Sequence, residues 1–286
     1  MEQSGGEEAQ QINFGYLLYE STLEKQDSLL REYALKWLEK YPDNQVAQHM
    51  GNAVLNRAVR PQGIPMWIRH VLVPGITDND EYLKNIFDIF APDFEQVLTG
   101  LDYRAPELIR CLLEEIYGSK KSPRLRILDA GCGTGFCGGF LKKYSSFRGL
   151  YGVDISEKML EQAQAKKVYS HLLQSELEQY FSQAKTKFDL IVSADVFTYF
   201  GSLEKLLSGM AGSLSAGGRV IFTVSENNLN DDDYFLHSSG RYLHHQNYVG
   251  KVLEKVGFEV EKLERAKLRN EGENIVYGYV VSALKK

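Results

Sequence analysis

The sequence predicts an α/β fold built on a doubly wound parallel sheet, and three observations predict it. From Leu125 onward, short apolar runs of β-type residues alternate with stretches of helical period, the βαβα rhythm of such a sheet. The first run ends in a glycine-rich corner, 127-ILDAGCGTGFCGG-139. The last two runs follow each other without a helix-length segment between them, which adds an antiparallel hairpin to the sheet.

Taken in order, the elements are a strand at 125–129, a helix at 136–144, a strand at 150–154, a helix at 156–166 and a weak strand at 170–173. A strand at 188–193, a helix at 203–214, a strand at 219–224, a helix at 246–256 and closing strands at 258–263 and 275–283 follow. Helical periods also run through 81–90 and 106–117, with Asp78 or Asp80 as a cap for the first.

Ahead of these, residues 1–10 form a polar tail and 11–60 three short helices. Their apolar positions are Phe14, Leu17 and Leu18, then Leu29, Leu30, Tyr33, Trp37 and Leu38, then Val46, Met50, Ala53 and Val54. The turn 41-YPDN-44 and a spacing of about 34 residues are those of a degenerate tetratricopeptide-like repeat. A plain helical cap on the next domain fits equally. Residues 61–79 hold a β-rich run, Trp67 to Val73, between two X-Pro breaks, and read as a linker or β-arm. The domain proper is expected over 80–286.

A net charge of −5 and scattered Lys and Arg residues argue against a nucleic-acid partner, which needs a concentrated basic face. Cys111, Cys132 and Cys137 lack metal-ligand spacing, so no metal is expected. With no signal-like start and no apolar run approaching the ~20 residues of a membrane span, the expected home is the cytoplasm, away from membranes.

The glycines can be read in two registers. Gly131, Gly133 and Gly135 behind Asp129 suit S-adenosylmethionine (SAM), whereas Gly133, Gly135 and Gly138 suit a dinucleotide. In 150-LYGVDIS-156, Asp154 stands 19 residues beyond Gly135, where a carboxylate accepts from both hydroxyls of an adenosine ribose. That serves either cofactor. Asp129 separates them, because its charge suits an amino-acid ammonium and repels a pyrophosphate. With the closing hairpin, it favours SAM; a NAD-dependent oxidoreductase is the rival.

At this point the stretches ILDAGCGTG, YGVDIS, FDLIVSADV and SAGGRVIFTV, in this order and spacing, resemble the class I SAM-dependent methyltransferases over 80–286. The resemblance implies a Rossmann-like seven-stranded sheet with an antiparallel terminal hairpin. More narrowly, FDIFAPDFEQVL, LDYRAPELI, ADVFTYFG and LRNEGENIVYGYVV resemble predicted methyltransferases that carry tetratricopeptide repeats ahead of the catalytic domain. Two departures are the insert at 61–79 and 175-SEL-177, where that group shows Gly-Asp-Leu. The segment WIRHVLVPGITDNDEYL resembles a piece of radical-SAM activating enzymes, but their three-cysteine motif is absent and nothing is carried over.

Carried onto this sequence, the resemblance sets Gly131, Cys132, Gly133 and Gly135 against the donor's methionine portion and Asp129 near its ammonium. Asp154 takes the ribose, with Ile155 and Met159 beside it, and Glu176 and Leu177 flank the adenine. Asp195 faces the methionine end or the acceptor as a catalytic carboxylate; capping the helix after it is the other reading. Phe87, Phe90 and Phe94 would cover the cofactor or simply pack their helix. Tyr103, Arg104, Tyr199, Arg241 and Tyr242 are expected at the acceptor. The long connection 225-SENNLNDDDYFLHSSGRYLHH-245 offers His237, His244 and His245 as general bases, His237 and His244 first. The implied activity is methyl transfer from SAM to a small molecule, leaving S-adenosylhomocysteine. The alternatives are a module that recruits and methylates a protein partner through its N-terminal helices, and a SAM-binding protein without turnover.

Overall fold

The computed structural model describes residues 35–36, 38–39, 83–84, 87–88, 91–118, 123–237, 241–271 and 274–286, the side chains of residues 93, 97, 271 and 274 excepted. The tail at 1–10, the arm at 61–79, Asp78, Asp80, Phe90 and the repeat-like segment 11–60 lie outside them, apart from four helical residues at 35–39. The chain divides into two compact units, one of Met1–Tyr82 with Leu236–Arg241, the other of Leu83–Phe235 with Tyr242–Lys286. The second unit carries the sheet.

Its strands are β1 (Leu125–Ala130), β2 (Ser145–Asp154), β3 (His171–Gln174), β4 (Phe188–Ser193), β5 (Leu214–Ser225), β8 (Phe258–Glu271) and β9 (Asn274–Lys285). Two short strands, β6 (Tyr234–Leu236) and β7 (Tyr242–His244), form a separate ribbon. The sheet order is β3-β2-β1-β4-β5-β9-β8. β3, β2, β1, β4 and β5 pair in parallel, whereas β9 runs antiparallel to both β5 and β8. The central strands are apolar on both faces because helices cover both. Accordingly Ile127, Leu128, Leu190, Ile191 and Val192 are fully buried.

The helices are α1 (Phe94–Gly100), α2 (Ala105–Tyr117), α3 (Gly138–Leu141), α4 (Glu157–Ala165), α5 (Leu177–Gln183), α6 (Glu204–Ser213) and α7 (Gln246–Lys255). On one face α2 buries Ile109, Leu112 and Leu113 against Ile127, Leu190 and Ile221. On the other, Leu206, Leu207, Met210, Val249 and Leu253 pack on Leu128, Ile191 and Phe222. The winding direction reverses between β1 and β4, so the ligand crevice belongs outside the carboxyl ends of β1, β2, β4 and β5.

Two of the differences from the expectation bear on the site. The helix at 136–144 shrinks to Gly138–Leu141, since residues 131–137 are spent on the turn and two glycines open the helix. β8 extends to Glu271, eight residues beyond the run expected to end at 263, because its polar second half is held by pairing to β9 rather than by β propensity. A register shift between Lys267 and Arg269 leaves the consecutive side chains of Leu268 and Arg269 both buried. Within the connection at 225–245, buried Asn227 gathers its own turn: its Nδ2 donates to Asn230 Oδ1 and to the Asp232 carbonyl, and its Oδ1 accepts from Leu229 N.

Candidate donor site

The corner after β1 holds the glycines of both registers. Gly131, Gly133 and Gly135 all have positive φ, at 72, 52 and 84°, the left-handed region that glycine enters without penalty. A Cβ on Gly131 would stand 2.4 Å from Val196 Cγ2. Gly138 is different: it opens α3 in helical conformation, and a Cβ there would strike the Tyr169 ring at 2.8 Å. Gly131, Gly133 and Gly135 therefore shape the turn, and Gly135 and Gly138 both make room for an aromatic ring behind it.

The loop is pinned to β2. Gly131 N and Cys132 N both donate to the Val153 carbonyl, at 2.8 and 3.0 Å. Asp154, at the end of β2, accepts from Gly133 N at 2.8 Å through Oδ2 and from Ser156 N at 2.9 Å through Oδ1. Ser156 caps α4 by accepting from Met159 N, so Asp154 is not the helix cap. Burial raises the Asp154 carboxyl, and the backbone N–H groups of Ser156, Gly133 and Ile155 pull it back down.

Asp129 is buried beneath the glycines, where Tyr169 Oη donates to its Oδ2 at 2.6 Å. Burial pushes its carboxyl up to about 7; the Tyr169 hydrogen bond opposes the rise and the Asp154 charge adds to it. The thiols of Cys132 and Cys137 are also buried and pushed well up, so both stay neutral. Cys132 turns its sulfur toward Gly152 and contributes its backbone to the loop. Met159 is buried at the start of α4, and Ile155 is half-buried with its carbonyl accepting from Gln174 Nε2.

At the expected adenine position, Glu176 is the N-cap of α5. Its two carboxylate oxygens accept from Glu178 N and Gln179 N, so this side chain serves the helix rather than a ligand. Leu177 is core.

The segment before the sheet lies over the loop. Phe94 Cε1 lies 3.8 Å from where a Cβ on Gly133 would stand, and Phe87 packs edge-on against both Phe94 and Tyr199. Thr134 of the loop donates to Glu95 Oε1 at 2.7 Å, and Ser156 Oγ donates to Asp88 Oδ1 at 2.6 Å.

Asp195 follows β4 with φ 57°, its N–H donating to Thr223 Oγ1 at 2.9 Å. It caps no helix; its carboxylate receives Arg269, whose Nη1 lies 3.0 Å from each oxygen. Arg269 was not foreseen, because the bulge that turns it inward leaves no mark in the sequence. Tyr103 reaches the same corner: Arg104 N donates to the Leu268 carbonyl and Asn270 N to the Leu101 carbonyl, lacing residues 101–104 onto the bulge. Burial and the Asp195 charge hold the Tyr103 phenol well above its usual range. Arg104 instead pairs with Glu107 on the exposed side of α2.

Two of the expected bases, His244 and His245, have partners of their own within this unit. His244 is fully buried, its Nε2 donating to the Gly201 carbonyl at 2.9 Å between Tyr234 and Tyr248. Burial depresses it to about 4, so it stays neutral and enclosed. His245 accepts from Asn247 N as the cap of α7. Tyr242 is buried, its ring beside Gly201 and its carbonyl accepting from Thr198 Oγ1. His237 and Arg241 belong to the other compact unit, His237 N donating to the Arg241 carbonyl at 2.8 Å. Among the described residues no cluster of His, Cys, Asp or Glu could hold a metal ion, and no helix is long and apolar enough to cross a membrane.

This sheet order, glycine corner and β2 carboxylate define a domain of the class I SAM-dependent methyltransferase fold. Residues 128–222 match the family model of a methyltransferase domain. The chain is 42% identical over 99 residues to human methyltransferase-like protein 27, covering 34% of this chain and 39% of that protein. It is 26% identical over 151 residues to the malonyl-[acyl-carrier protein] O-methyltransferase of Priestia megaterium, 52% of this chain and 53% of that one. Thus the chain spans about half or less of the length of these curated relatives. Among solved structures, the magnesium protoporphyrin IX methyltransferase of Synechocystis PCC 6803 with bound S-adenosylhomocysteine superposes with a TM-score of 0.57. It is 18% identical, over 73% of this chain and 100% of that one, a likeness of fold.

Proposed function

We propose that the chain transfers the methyl group of SAM to a small-molecule acceptor, with 80–286 as the catalytic domain. The observation that carries this reading is Asp154, held by Gly133 N and Ser156 N at the edge of a glycine corner whose three left-handed residues open the crevice at the switch point. The sulfonium of SAM is an already activated methyl donor, so orientation and exclusion of water supply most of the rate. Asp129 and the glycines receive the methionine end, Asp154 the ribose, and Phe87 and Phe94 shield the site. Asp195, Arg269, Tyr103 and Tyr199 line the acceptor side. The relative named for malonyl-[acyl-carrier protein] fits a small acyl acceptor, there carried on a protein.

Native mass spectrometry and calorimetry with SAM, S-adenosylhomocysteine and NAD test the reading. It expects the first two to bind and a methyl group to pass to an acceptor from a metabolite extract. Binding of NAD alone overturns it.

A further inference from the structure

Tyr169 stands just before β3, in a segment that the donor-site motifs do not include, yet three glycines of two different motifs make room for it. A Cβ at Gly135 would meet its Cε2 at 2.9 Å, one at Gly138 its Cε2 and Cζ at 2.8 Å, and one at Gly152 its Cδ1 at 3.1 Å. The ring is thereby wedged between the ligand loop, the start of α3 and the middle of β2. Its hydroxyl then reaches Asp129 Oδ2 at 2.6 Å, the short distance of a strong O–H···O bond. We propose that Tyr169 is a positioning residue for the donor, its hydroxyl holding Asp129 by Oδ2 so that Oδ1 is presented to the donor's ammonium, whose arrival holds Asp129 as the carboxylate.

The surroundings of Asp129 support that coupling. Asp154 faces it from β2, Cys132 and Cys137 from the loop, and Tyr169 from the segment before β3. The Lys166 charge reaches this group at Cys137. Neither the neutral thiols nor the phenol, which stays protonated, offers a countercharge, and Asp154 adds a negative one. A carboxyl so placed sits at about 7 and is half protonated at neutral pH. An arriving ammonium supplies the missing countercharge: the O–H bond of Asp129 breaks, the proton goes to solvent and the carboxylate stays to pair with the ligand. The tyrosine hydroxyl favours the ionised form, so its loss moves the transition to higher pH.

This inference rests on the SAM reading, and calorimetry of the full chain with S-adenosylhomocysteine at pH 6, 7 and 8 separates the two. The parent should bind about tenfold more tightly at pH 8 than at pH 6, gaining only about twofold between pH 7 and 8. Tyr169→Phe, which keeps the ring, should bind more weakly at pH 7 and recover about five- to tenfold between pH 7 and 8. Asp129→Asn should lose the pH dependence. In parent protein at pH 7, titrations in two buffers of different ionisation enthalpy should show about half a proton released per ligand bound. A Tyr169→Phe affinity lower by the same factor at every pH, or no proton release by the parent, overturns the inference. A parent that binds no donor at all overturns the SAM reading instead.

Discussion

Arg269 donates through Nη1 to both carboxylate oxygens of Asp195 at 3.0 Å, with its own side chain only 2% exposed. The pair ties the bulge of β8 to the corner after β4, two segments 74 residues apart in the chain. Removing one partner of a buried pair strands the other charge, at a cost of about 3–5 kcal/mol. Arg269→Met should therefore lower the unfolding midpoint markedly. The double variant Asp195→Asn/Arg269→Met, which strands nothing, should regain much of the loss. Equal midpoints for single and double variants in urea would show that the pair does not act as a unit.

Asp154→Ala should weaken SAM and S-adenosylhomocysteine binding at least tenfold. It removes the ribose acceptor and also the anchor of Gly133 N, and charge-assisted hydrogen bonds are worth about 1.5–3 kcal/mol each. Calorimetry checks it; an unchanged affinity in a folded variant refutes the assignment of the ribose site.

His244 makes a prediction about acid. Burial depresses it to about 4 from 6.5, so the unfolded chain binds a proton there before the folded one does. The stability this neutral ring contributes is present above pH 6.5 and is lost as pH falls from 6.5 through about 4, by roughly 3 kcal/mol over the window. Urea unfolding of His244→Gln at pH 4.5 and 7.5 should show a smaller difference than the parent shows. A steeper acid loss in the variant would contradict this.

The strand ends and their glycines were legible in the sequence and the partners of the polar side chains were not, for a physical reason. Gly131, Gly133, Gly135 and Asp154 sit where apolar strands stop, and a strand end followed by glycine or a carboxylate is a local pattern. Glu176, Arg104 and His244 carry ligand-binding chemistry but are engaged by a helix N-terminus, a neighbouring Glu and a core carbonyl, partners that residue type does not reveal. Arg269 and Tyr169 escaped notice for the opposite reason. One is turned inward by a bulge and the other is wedged among glycines of distant segments, and neither arrangement has a periodicity. The parallel sheet and its closing hairpin were readable from the βαβα rhythm, whereas the length of β8 depended on its pairing with β9.

Gly131 offers the sharpest test of the glycine corner, because two independent penalties meet there. Its φ of 72° is strained for any residue with a Cβ, by about 1–2 kcal/mol, and that Cβ would overlap Val196 Cγ2 at 2.4 Å. Val196 follows Asp195, so a push on it is delivered to the Asp195–Arg269 pair as well as to the loop. Gly131→Ala should abolish donor binding and lower the melting temperature. Gly131→Ala/Val196→Ala removes both γ-carbons from the clash and leaves only the backbone strain and a 3.2 Å contact to the β-carbon. It should melt above the Gly131→Ala single variant and regain part of the donor affinity. Gly138→Ala, by contrast, meets Val168 Cγ2 at 2.7 Å and the Tyr169 ring at 2.8 Å with no backbone strain, so Gly138→Ala/Val168→Ala/Tyr169→Leu should recover its fold but not the parental pH dependence of binding. Thermal melts and calorimetry on the five proteins decide it: if Val196→Ala brings no recovery to Gly131→Ala, the clash is relieved elsewhere and the loop is held by its backbone conformation alone.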